Sequence, residues 1–183
     1  MHALDLNLFN AIHGLAGQNN LLDSVIVFCA EYFIDVLLIV LAIFAFQKWR
    51  AGDISSFMEY VVSVAAGIFA RLVVTEAIRF FYHRPRPFLA LHIPHLLTDT
   101  EYSFPSGHTI FMFALATAML SVNKKFAYVL YVCGLLIGLS RVAAGVHYPS
   151  DIVGGVVLGI LTGYLVAKLW DIYVTRNTVQ PSA

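Results

Sequence analysis

The amino-acid sequence predicts an all-α integral membrane protein, a bundle of five transmembrane helices with an N-terminal interfacial helix. Of its 183 residues, 60% are hydrophobic and only 12% are charged, whereas a soluble domain carries about 25% charged residues. Five apolar segments follow one another along the chain, separated by short polar connections. The mean hydropathy of +0.79 agrees with a chain whose natural solvent is the bilayer. The length predicts one domain.

Residues 3–16 predict a short amphipathic helix. A helix of this kind can lie in the plane of the membrane interface, and an ordinary surface helix is the equal alternative. One helical stripe carries the apolar residues Leu4, Leu8, Ile12 and Leu15.

The five apolar segments each come near the roughly 20 residues that a helix needs to cross a bilayer. The first contains Asp23, Glu31 and Asp35, so it is one span or a broken helix, and six segments is the alternative count. The segments cover residues 22–47, 57–80, 107–122, 126–144 and 151–172. We therefore divide the chain into an interfacial segment at 1–20, one membrane domain at 21–173 and a tail at 174–183.

Basic residues predict the orientation in a plasma membrane. Five crossings place most of them on one side, which the positive-inside tendency makes cytoplasmic, together with the C-terminus. These residues are Lys48, Arg50, Lys124, Lys125 and Arg176. The opposite, extracytoplasmic side receives the long 83–106 connection and the 145–150 turn. The formal net charge is zero, so the charge balance predicts no nucleic-acid partner.

The last apolar segment carries Gly155, Gly159 and Gly163 at a spacing of four residues. Small residues at this spacing lie on one helix face and let a second helix approach the backbone closely. We interpret them as a packing surface between two helices.

Three polar clusters reach the same predicted membrane face although they lie far apart in sequence. They cover residues 79–87, 104–108 and 140–151. The number of crossings between them brings all three to the extracytoplasmic side. This convergence predicts a site.

The residue types in these clusters suit phosphate chemistry. Arg79, Arg86 and Arg141 offer planar pairs of donors that match phosphate oxygens and stay charged. Ser106 and Gly107 begin a helix, whose free backbone N–H groups also favour an anion. Together they predict a pocket for a multiply charged phosphate group.

Two histidines in the clusters can divide the steps of phosphoryl transfer. One imidazole attacks phosphorus, and the other donates a proton to the leaving oxygen and later activates water. A carboxylate that hydrogen-bonds the attacking imidazole fixes its tautomer. Asp151 follows His147 by four residues and is suitably placed for this role, and His108 is the second histidine.

The three clusters resemble the three-part signature of the type 2 phosphatidic acid phosphatase superfamily, over roughly residues 57–172. The matching patterns are Arg79–x6–Arg86–Pro87, Pro105–Ser106–Gly107–His108, and Ser140–Arg141–x5–His147–x3–Asp151. Three separate spacings match in the same order, which makes the resemblance specific. The first position is usually lysine in the family, and Arg79 keeps its positive charge.

The resemblance implies a role for each matching residue. His147 would form a phosphohistidine, Asp151 would orient it, and His108 would be the general acid. The phosphate would be held by Arg79, Arg86, Arg141, Ser106 and the Gly107 amide. The family needs no metal or other cofactor. A metal site at His108, His147 and Asp151 is the weaker alternative, because the arginines would repel a cation.

The small size and the Arg84–Pro85–Arg86–Pro87–Phe88 run resemble the bacterial undecaprenyl-diphosphate phosphatases of the bacitracin-resistance type. This implies a membrane lipid as substrate, a polyprenyl diphosphate, cleaved to its monophosphate on the extracytoplasmic face for cell-wall synthesis. Phosphatidic acid or phosphatidylglycerol phosphate is the alternative substrate. An anion transporter or channel, with the arginines as a selectivity ring, is the non-enzyme alternative. The oligomeric state stays open.

Three further charged residues lie outside the matching positions. Arg84 is equally suited to contacting a second phosphate of a diphosphate or to facing water. Arg71 and Glu76 lie inside the second apolar segment, where charges are costly. We favour a helix-packing ion pair of Arg71 with Glu31, Asp35 or Glu76, because its depth argues against contact with phosphate.

Overall fold

The structure, a computed structural model, describes residues 3–178, and within that range every regular element is a helix. In chain order the helices are α1 Ala3–His13, α2 Asn20–Arg50, α3 Ile54–Phe81, α4 Pro87–Leu91, α5 Gly107–Met119, α6 Lys124–Ala143 and α7 Pro149–Thr178. Four of these, α2, α3, α6 and α7, are long and apolar enough to cross a membrane. The prediction of an all-α membrane bundle is confirmed.

Helix α5, the predicted third span, is short, and protein surrounds it on all sides. All of its residues are buried, and it packs against α3, α6 and α7. A helix enclosed in this way contacts its neighbours instead of lipid. It therefore forms the axis of the bundle, and its first residues, Gly107 and His108, open at one end of it.

The glycine face of α7 lies directly against α5. A Cβ atom at Gly159 would lie 2.7 Å from the carbonyl oxygen of Ile110, and one at Gly155 would lie 3.0 Å from Thr109 Cβ. Side chains larger than hydrogen do not fit at these distances. The two helices therefore pack backbone to backbone, as the spacing of the glycines predicts.

Helix α2 crosses as one continuous helix, so the alternatives of a broken first span and of six segments are wrong. It begins where the Asn19 side chain accepts a hydrogen bond from the Leu22 amide at 2.9 Å. A π-helical turn at Phe28–Tyr32 carries Glu31, and a second π-helical turn, at Ala70–Val74 in α3, carries Arg71. Such turns widen a helix by one residue without ending it.

Helix α1 lies at the same end of the bundle as the start of α7. Phe9 and Asp5 are buried against the protein, while Leu4, Leu8 and Leu15 are exposed. The exposed leucines are three of the four residues of the predicted apolar stripe. Their outward direction leaves them free to contact the membrane interface.

The outer surface of the bundle is largely apolar. Large exposed side chains such as Ile39 and Ile43 on α2 and Val153 and Leu161 on α7 point away from the core. A water-soluble monomer rarely exposes so continuous an apolar surface. Helix α7 continues to Thr178, so the predicted tail at 174–183 begins inside a helix, and residues 179–183 lie outside the described range.

A tight turn joins α6 to α7 and positions the residues between them. Gly145 has a φ of 86°, a left-handed conformation that glycine adopts without strain. Its amide donates to the Val142 carbonyl at 3.0 Å, which ends α6. The reversal brings His147, two residues later, back over the end of α5.

Candidate active site

A polar cavity of about 140 Å³ lies at the end of the bundle where α5 begins. Residues from α3, α5 and α6, from the 92–106 loop and from the α6–α7 turn line it. They are Arg71, Leu72, Thr75, Glu76, Arg79, Asp99, Glu101, Gly107, His108, Arg141 and His147. The three sequence clusters therefore contribute to one cavity, and the two histidines lie in it together.

His147 is buried, with its two ring nitrogens in different surroundings. Nδ1 lies 3.5 Å from Asp151 Oδ2, and Nε2 lies 3.2 Å from Arg86 Nη1. A guanidinium group can only donate hydrogen bonds, so Nε2 is the acceptor and carries no proton. The proton of the neutral ring is consequently on Nδ1, toward Asp151, and the lone pair of Nε2 accepts from Arg86, so that contact must open before Nε2 can attack a substrate.

Burial sets the protonation state of His147. Burial, together with the charges of Arg141 and Arg86, lowers the pKa of His147 to about 4, although Asp151 acts in the opposite direction. The imidazole is thus neutral at pH 7. A neutral imidazole is the form that can act as a nucleophile.

Asp151 is fully buried and completely partnered. Its Oδ2 accepts hydrogen bonds from the Tyr148 amide at 2.8 Å and from the Ser103 hydroxyl. Its Oδ1 forms an ion pair with Arg84. The carboxylate is therefore held rigidly at the start of α7, where it faces Nδ1 of His147.

His108 lies in the first turn of α5 and lines the same cavity. The cavity places it with Arg71 and Arg141, whose positive charges act on it. A bound phosphate would add negative charge beside this imidazole and so favour its protonated form.

Arg86 is buried beside His147 and does not itself line the cavity. It donates to the carbonyl oxygens of Glu101 at 2.6 Å and Val146 at 3.0 Å, which fix its orientation. Burial lowers the pKa of Arg86 to about 10, partly against the effect of Asp99. The group remains charged at neutral pH.

Asp99 lies between two of the predicted phosphate-binding arginines. Its Oδ2 is 2.8 Å from Arg86 Nη2 and 2.9 Å from Arg141 Nη2. Although burial acts in the opposite direction, these two arginines hold the pKa of Asp99 below its usual value. A carboxylate thus occupies the position between two guanidinium groups that a phosphate oxygen would take.

The remaining partners of Arg79 and Arg141 are also acidic. Arg79 contacts Glu76 at 3.1 Å and pairs with Glu101, and Arg141 contacts Glu31 at 3.0 Å. Among residues 3–178, Arg79 Nε and Arg141 Nε are buried donors without a hydrogen-bond partner, and Arg86 Nη2 has only its ion pair with Asp99. Arg79 and Arg141 therefore each keep a donor that an anion could satisfy, and Arg86 gains one when Asp99 is displaced.

Ser106 and Gly107 hold the start of α5 at the cavity. Gly107 lines it, whereas the Ser106 hydroxyl accepts a hydrogen bond from Thr109 at 3.1 Å. The Ser106 amide donates to the Asp151 carbonyl at 3.2 Å. In this arrangement Ser106 links α5 to α7, and Gly107 is the member of the pair that faces the cavity.

Arg84 points away from the cavity, which differs from both predictions for it. Its Nη1 contacts Asp151 Oδ1 at 2.5 Å, and its Nη2 contacts Asp5 Oδ2 at 2.7 Å. The guanidinium also lies 4.1 Å from the centre of the Tyr148 ring. Arg84 therefore supports Asp151 from behind, and both of its terminal nitrogens have partners other than a second phosphate.

The predicted ion pair of Arg71 is not formed with any described residue. Glu31 pairs with Arg141, Glu76 pairs with Arg79, and Arg71 lines the cavity together with Glu76. Arg71 thus lies at the predicted phosphate pocket, although the depth of its backbone in the second apolar segment predicted that it would lie apart from it. Its long side chain reaches the cavity from a deeper turn of α3.

Sequence reasoning missed several supporting residues. Asp5 accepts hydrogen bonds from the Ser150 amide at 2.9 Å and the Ser150 hydroxyl at 2.6 Å, and it pairs with Arg84. Asp99 and Glu101 also escaped notice, because isolated acidic residues in a loop resemble a solvated surface. The one available signal was Asp5, the single acidic residue of the N-terminal helix. Within residues 3–178, no group of three or more His, Cys, Asp or Glu residues is arranged to bind a metal.

Comparison with known proteins identifies the family. A sequence model described as the PAP2 superfamily matches residues 58–173, which is well over half of the chain. The chain belongs to the PAP2 superfamily. Membership confirms the resemblance predicted from the three motifs, and this PAP2 protein is accordingly a membrane lipid phosphatase.

Three relatives illustrate the range of the PAP2 match. Undecaprenyl-diphosphatase BcrC of Bacillus subtilis (strain 168) is 39% identical over 172 residues, covering 92% of this chain and 86% of the relative. The crystal structure of Aquifex aeolicus LpxE aligns with a TM-score of 0.71 and 31% identity, covering 91% of this chain and 96% of that one.

The third relative is a transmembrane PAP2 type phosphatidylglycerolphosphate phosphatase from Bacillus subtilis. Its structure aligns with a TM-score of 0.65 and 21% identity, covering 100% of this chain and 90% of that one. This likeness concerns the fold alone. Together with the apolar helices, it agrees with a multi-pass membrane protein.

Proposed function

We propose that this protein hydrolyses the terminal phosphate of a polyprenyl diphosphate, undecaprenyl diphosphate foremost, and yields the monophosphate and orthophosphate. One observation carries the proposal: His147 and His108 share a small polar cavity with Arg79 and Arg141, and Arg86 closes it from behind. The relative named undecaprenyl-diphosphatase, which is similar over most of both chains, supports the choice of substrate.

In the first step, Nε2 of His147 attacks the terminal phosphorus. The P–N bond forms as the P–O bond to the bridging oxygen breaks, and that oxygen leaves with the lipid monophosphate. His108 donates its proton to the departing oxygen. Asp151 faces the Nδ1 proton and stabilises the ring as positive charge develops on it.

In the second step, water attacks the phosphohistidine from the side that the lipid has left. His108, now neutral, takes a proton from the water, and the P–N bond breaks to release orthophosphate. Arg79, Arg86 and Arg141 hold the phosphoryl oxygens in both steps, since their unpaired donors can follow the charge. To bind, the phosphate must displace Asp99 from Arg86 and Arg141.

The lipid tail stays in the bilayer during both steps. An apolar groove of about 470 Å³ between α2 and α3 is lined by Leu41, Tyr60 and Ile68, among others. Ile68 precedes Leu72, which lines the catalytic cavity, by four residues on α3, and both side chains are exposed. A tail in this groove would reach the cavity without leaving the membrane.

The proposed orientation puts the cavity on the extracytoplasmic side. Lys48, Arg50 and Lys124 lie at the helix ends opposite the cavity, and Arg176 lies in the last turn of α7. The positive-inside tendency makes that end cytoplasmic. The substrate phosphate would then be removed in the periplasm or at the cell exterior.

Phosphate release from purified full-length protein tests the function. We expect release from undecaprenyl diphosphate with and without a chelator, and loss of turnover in His147→Ala with the protein still folded. With handling that avoids acid, which hydrolyses phosphohistidine, mass spectrometry should find phosphate on His147 in His108→Asn. The departing lipid monophosphate is a good leaving group that needs little help from an acid, whereas the second step loses the group that activates water.

The same assay separates the rivals. Faster turnover of phosphatidate or phosphatidylglycerol phosphate than of the diphosphate would replace the proposed substrate and keep the chemistry. Absence of phosphate release from every lipid would favour an anion transporter and reject the proposal. Wild-type turnover by His147→Ala would reject the nucleophile.

A further inference from the structure

Arg71 reaches the catalytic cavity from the membrane side. It precedes Arg79 by eight residues on α3, which places its backbone about 12 Å deeper along the helix axis. A Cβ atom at Gly107 would nevertheless lie 3.8 Å from Arg71 Cγ and 4.0 Å from Arg79 Nη2. The two arginines thus flank the same glycine, one from below and one from above.

Arg71 differs from the other arginines around the site in having no acidic partner within residues 3–178. Each of the others has at least one. Arg79 pairs with Glu76 and Glu101, Arg86 with Asp99, Arg141 with Glu31 and Asp99, and Arg84 with Asp5 and Asp151. A charge at this depth is costly unless something pairs with it. The lining balances three arginines against Glu76, Asp99 and Glu101, but Arg71 is exposed and forms no ion pair with a described residue, so it is an accessible cation on the membrane side of the cavity.

A local change in helix geometry presents this charge. Arg71 lies in the π-helical turn Ala70–Val74, and Thr75, at its end, donates to the Ala70 carbonyl at 3.1 Å. Turns of this kind occur often at functional sites because they redirect side chains within a helix. Leu72 and Thr75 line the cavity beside Arg71, so the widened turn forms its inner wall.

We infer that Arg71 binds the lipid-linked phosphate of a diphosphate substrate and makes the site select diphosphates over monophosphates. The inference rests on the proposed function. The phosphate attacked by His147 lies among Arg79, Arg86 and Arg141, and the second phosphate must lie on the side of the tail. Arg71 is the cation on that side, and its planar group suits phosphate oxygens.

The same contact assists the departure of the leaving group. When the bridging P–O bond breaks, the lipid-linked phosphate gains negative charge beside His108. Arg71, which also acts electrostatically on His108, lies where it can share in neutralising that charge. A monophosphate substrate has no phosphate at this position and gains no such contact with Arg71.

A matched pair of substrates isolates this contact. Farnesyl diphosphate and farnesyl monophosphate share one tail and differ by one phosphate, and kcat/KM for phosphate release is measured for both in identical micelles. We expect Arg71→Gln to lower kcat/KM for the diphosphate by about ten- to one-hundredfold, the range for a charge-assisted contact. The monophosphate rate should change much less, because only the electrostatic effect of Arg71 on His108 is lost with that substrate.

Two further variants complete the experiment. Arg71→Lys keeps the charge without the planar pair of donors. Its preference for the diphosphate over the monophosphate should lie between those of the wild type and Arg71→Gln. Arg50→Gln removes an exposed arginine at the opposite end of α2 and should keep the wild-type ratio. If Arg71→Gln does not fold, the ratio measured for Arg71→Lys decides.

If kcat/KM of Arg71→Gln falls equally for both substrates, or falls for neither, the proposed role of Arg71 is overturned. Failure of the proposed function looks different, because the wild-type protein itself would then release no phosphate from farnesyl diphosphate. Wild-type turnover with an unchanged ratio in both Arg71 variants would leave the phosphatase and reject only this subsite.

Discussion

The reactivity of His147 depends on how its two ring nitrogens are partnered. Arg86 on one side and Asp151 on the other fix a neutral tautomer whose Nε2 lone pair is held by Arg86 until that contact opens. The spacing of His147 and Asp151 made this pairing predictable. The part of Arg86 in selecting the tautomer was not, because a contact between residues 61 positions apart leaves no local pattern.

His147 should titrate at a lower pH than an ordinary histidine. Its imidazole should titrate near pH 4, because burial disfavours the charged ring, and not near the 6.5 or so of a free imidazole. The unfolded chain then takes up a proton that the folded protein does not, so this residue reduces stability as the pH falls from about 6.5 toward 4. The pKa can be measured by NMR of ¹⁵N-histidine-labelled protein, with His147→Asn to assign the signal. A His147 signal that titrates near pH 6.5 would contradict the prediction.

Asp99 competes with phosphate for Arg86 and Arg141. We expect Asp99→Asn to lower the inhibition constants of orthophosphate and vanadate by about three- to tenfold, because the neutral amide binds the arginines more weakly. Asp171→Asn, an exposed change near the opposite end of the bundle, is the control. Unchanged or weaker inhibition in Asp99→Asn would show that the carboxylate does not occupy the phosphate position.

The supporting residues mark the limit of sequence reasoning about the site. The arginines and histidines that line the cavity stand in motifs with fixed spacing, so they could be named in advance. Asp5, Asp99 and Ser103 could not, because they reach the site through long-range packing of a terminal helix and a loop. Arg71 was visible as a charge inside an apolar segment, but its direction depended on the π-helical turn.

Helix α1 contributes to the support of the candidate active site. Its Asp5 binds Ser150 and Arg84, and Arg84 in turn pairs with Asp151. We expect Asp5→Asn to lower kcat roughly tenfold and leave KM unchanged, because one charge-assisted contact behind Asp151 is lost. Asn7→Ala, on the exposed face of the same helix, is the control. A kcat equal to that of the control would mean that α1 only covers the site.

The contact between α5 and α7 determines how firmly the first turn of α5 is held. Gly159→Ala would place a methyl group 2.7 Å from the Ile110 carbonyl oxygen. We expect the free energy of unfolding to fall by about 1–3 kcal/mol, which would lower the unfolding temperature in detergent by several degrees. Val157→Ala, at an exposed position of the same helix, should change it little. An unchanged unfolding temperature in Gly159→Ala would mean that the helices can separate without cost.

At the scale of the whole molecule, hydropathy alone predicted the bundle, because a membrane span needs length and apolar composition and little else. The bounds of α2, α3, α6 and α7 agree with the predicted segments to within a few residues at most ends. The exception is the last, where α7 runs past residue 173 to Thr178. Composition also could not reveal that α5 is enclosed by protein, since a buried helix and a lipid-facing helix are equally apolar.

The orientation of the molecule can be tested by labelling single cysteines in a background without Cys29 and Cys133. Thr100→Cys lies in the loop at the cavity end, and Ser121→Cys lies in the connection between α5 and α6. A membrane-impermeant maleimide applied to intact cells should label the first and not the second. The reverse pattern would place the site in the cytoplasm and reject the proposed location.

The shortness of α5 has a consequence for kinetics. At 13 residues, or about 20 Å, it is shorter than the roughly 30 Å of a hydrocarbon core, so the floor of the cavity sits in a recess beside deeper turns of α3. Water can reach the phosphate group while the lipid tail of the substrate stays in the bilayer. Encounter is then two-dimensional, and turnover should follow the mole fraction of substrate in the membrane. Diluting vesicles in buffer should not slow it, whereas diluting the substrate with inert lipid should.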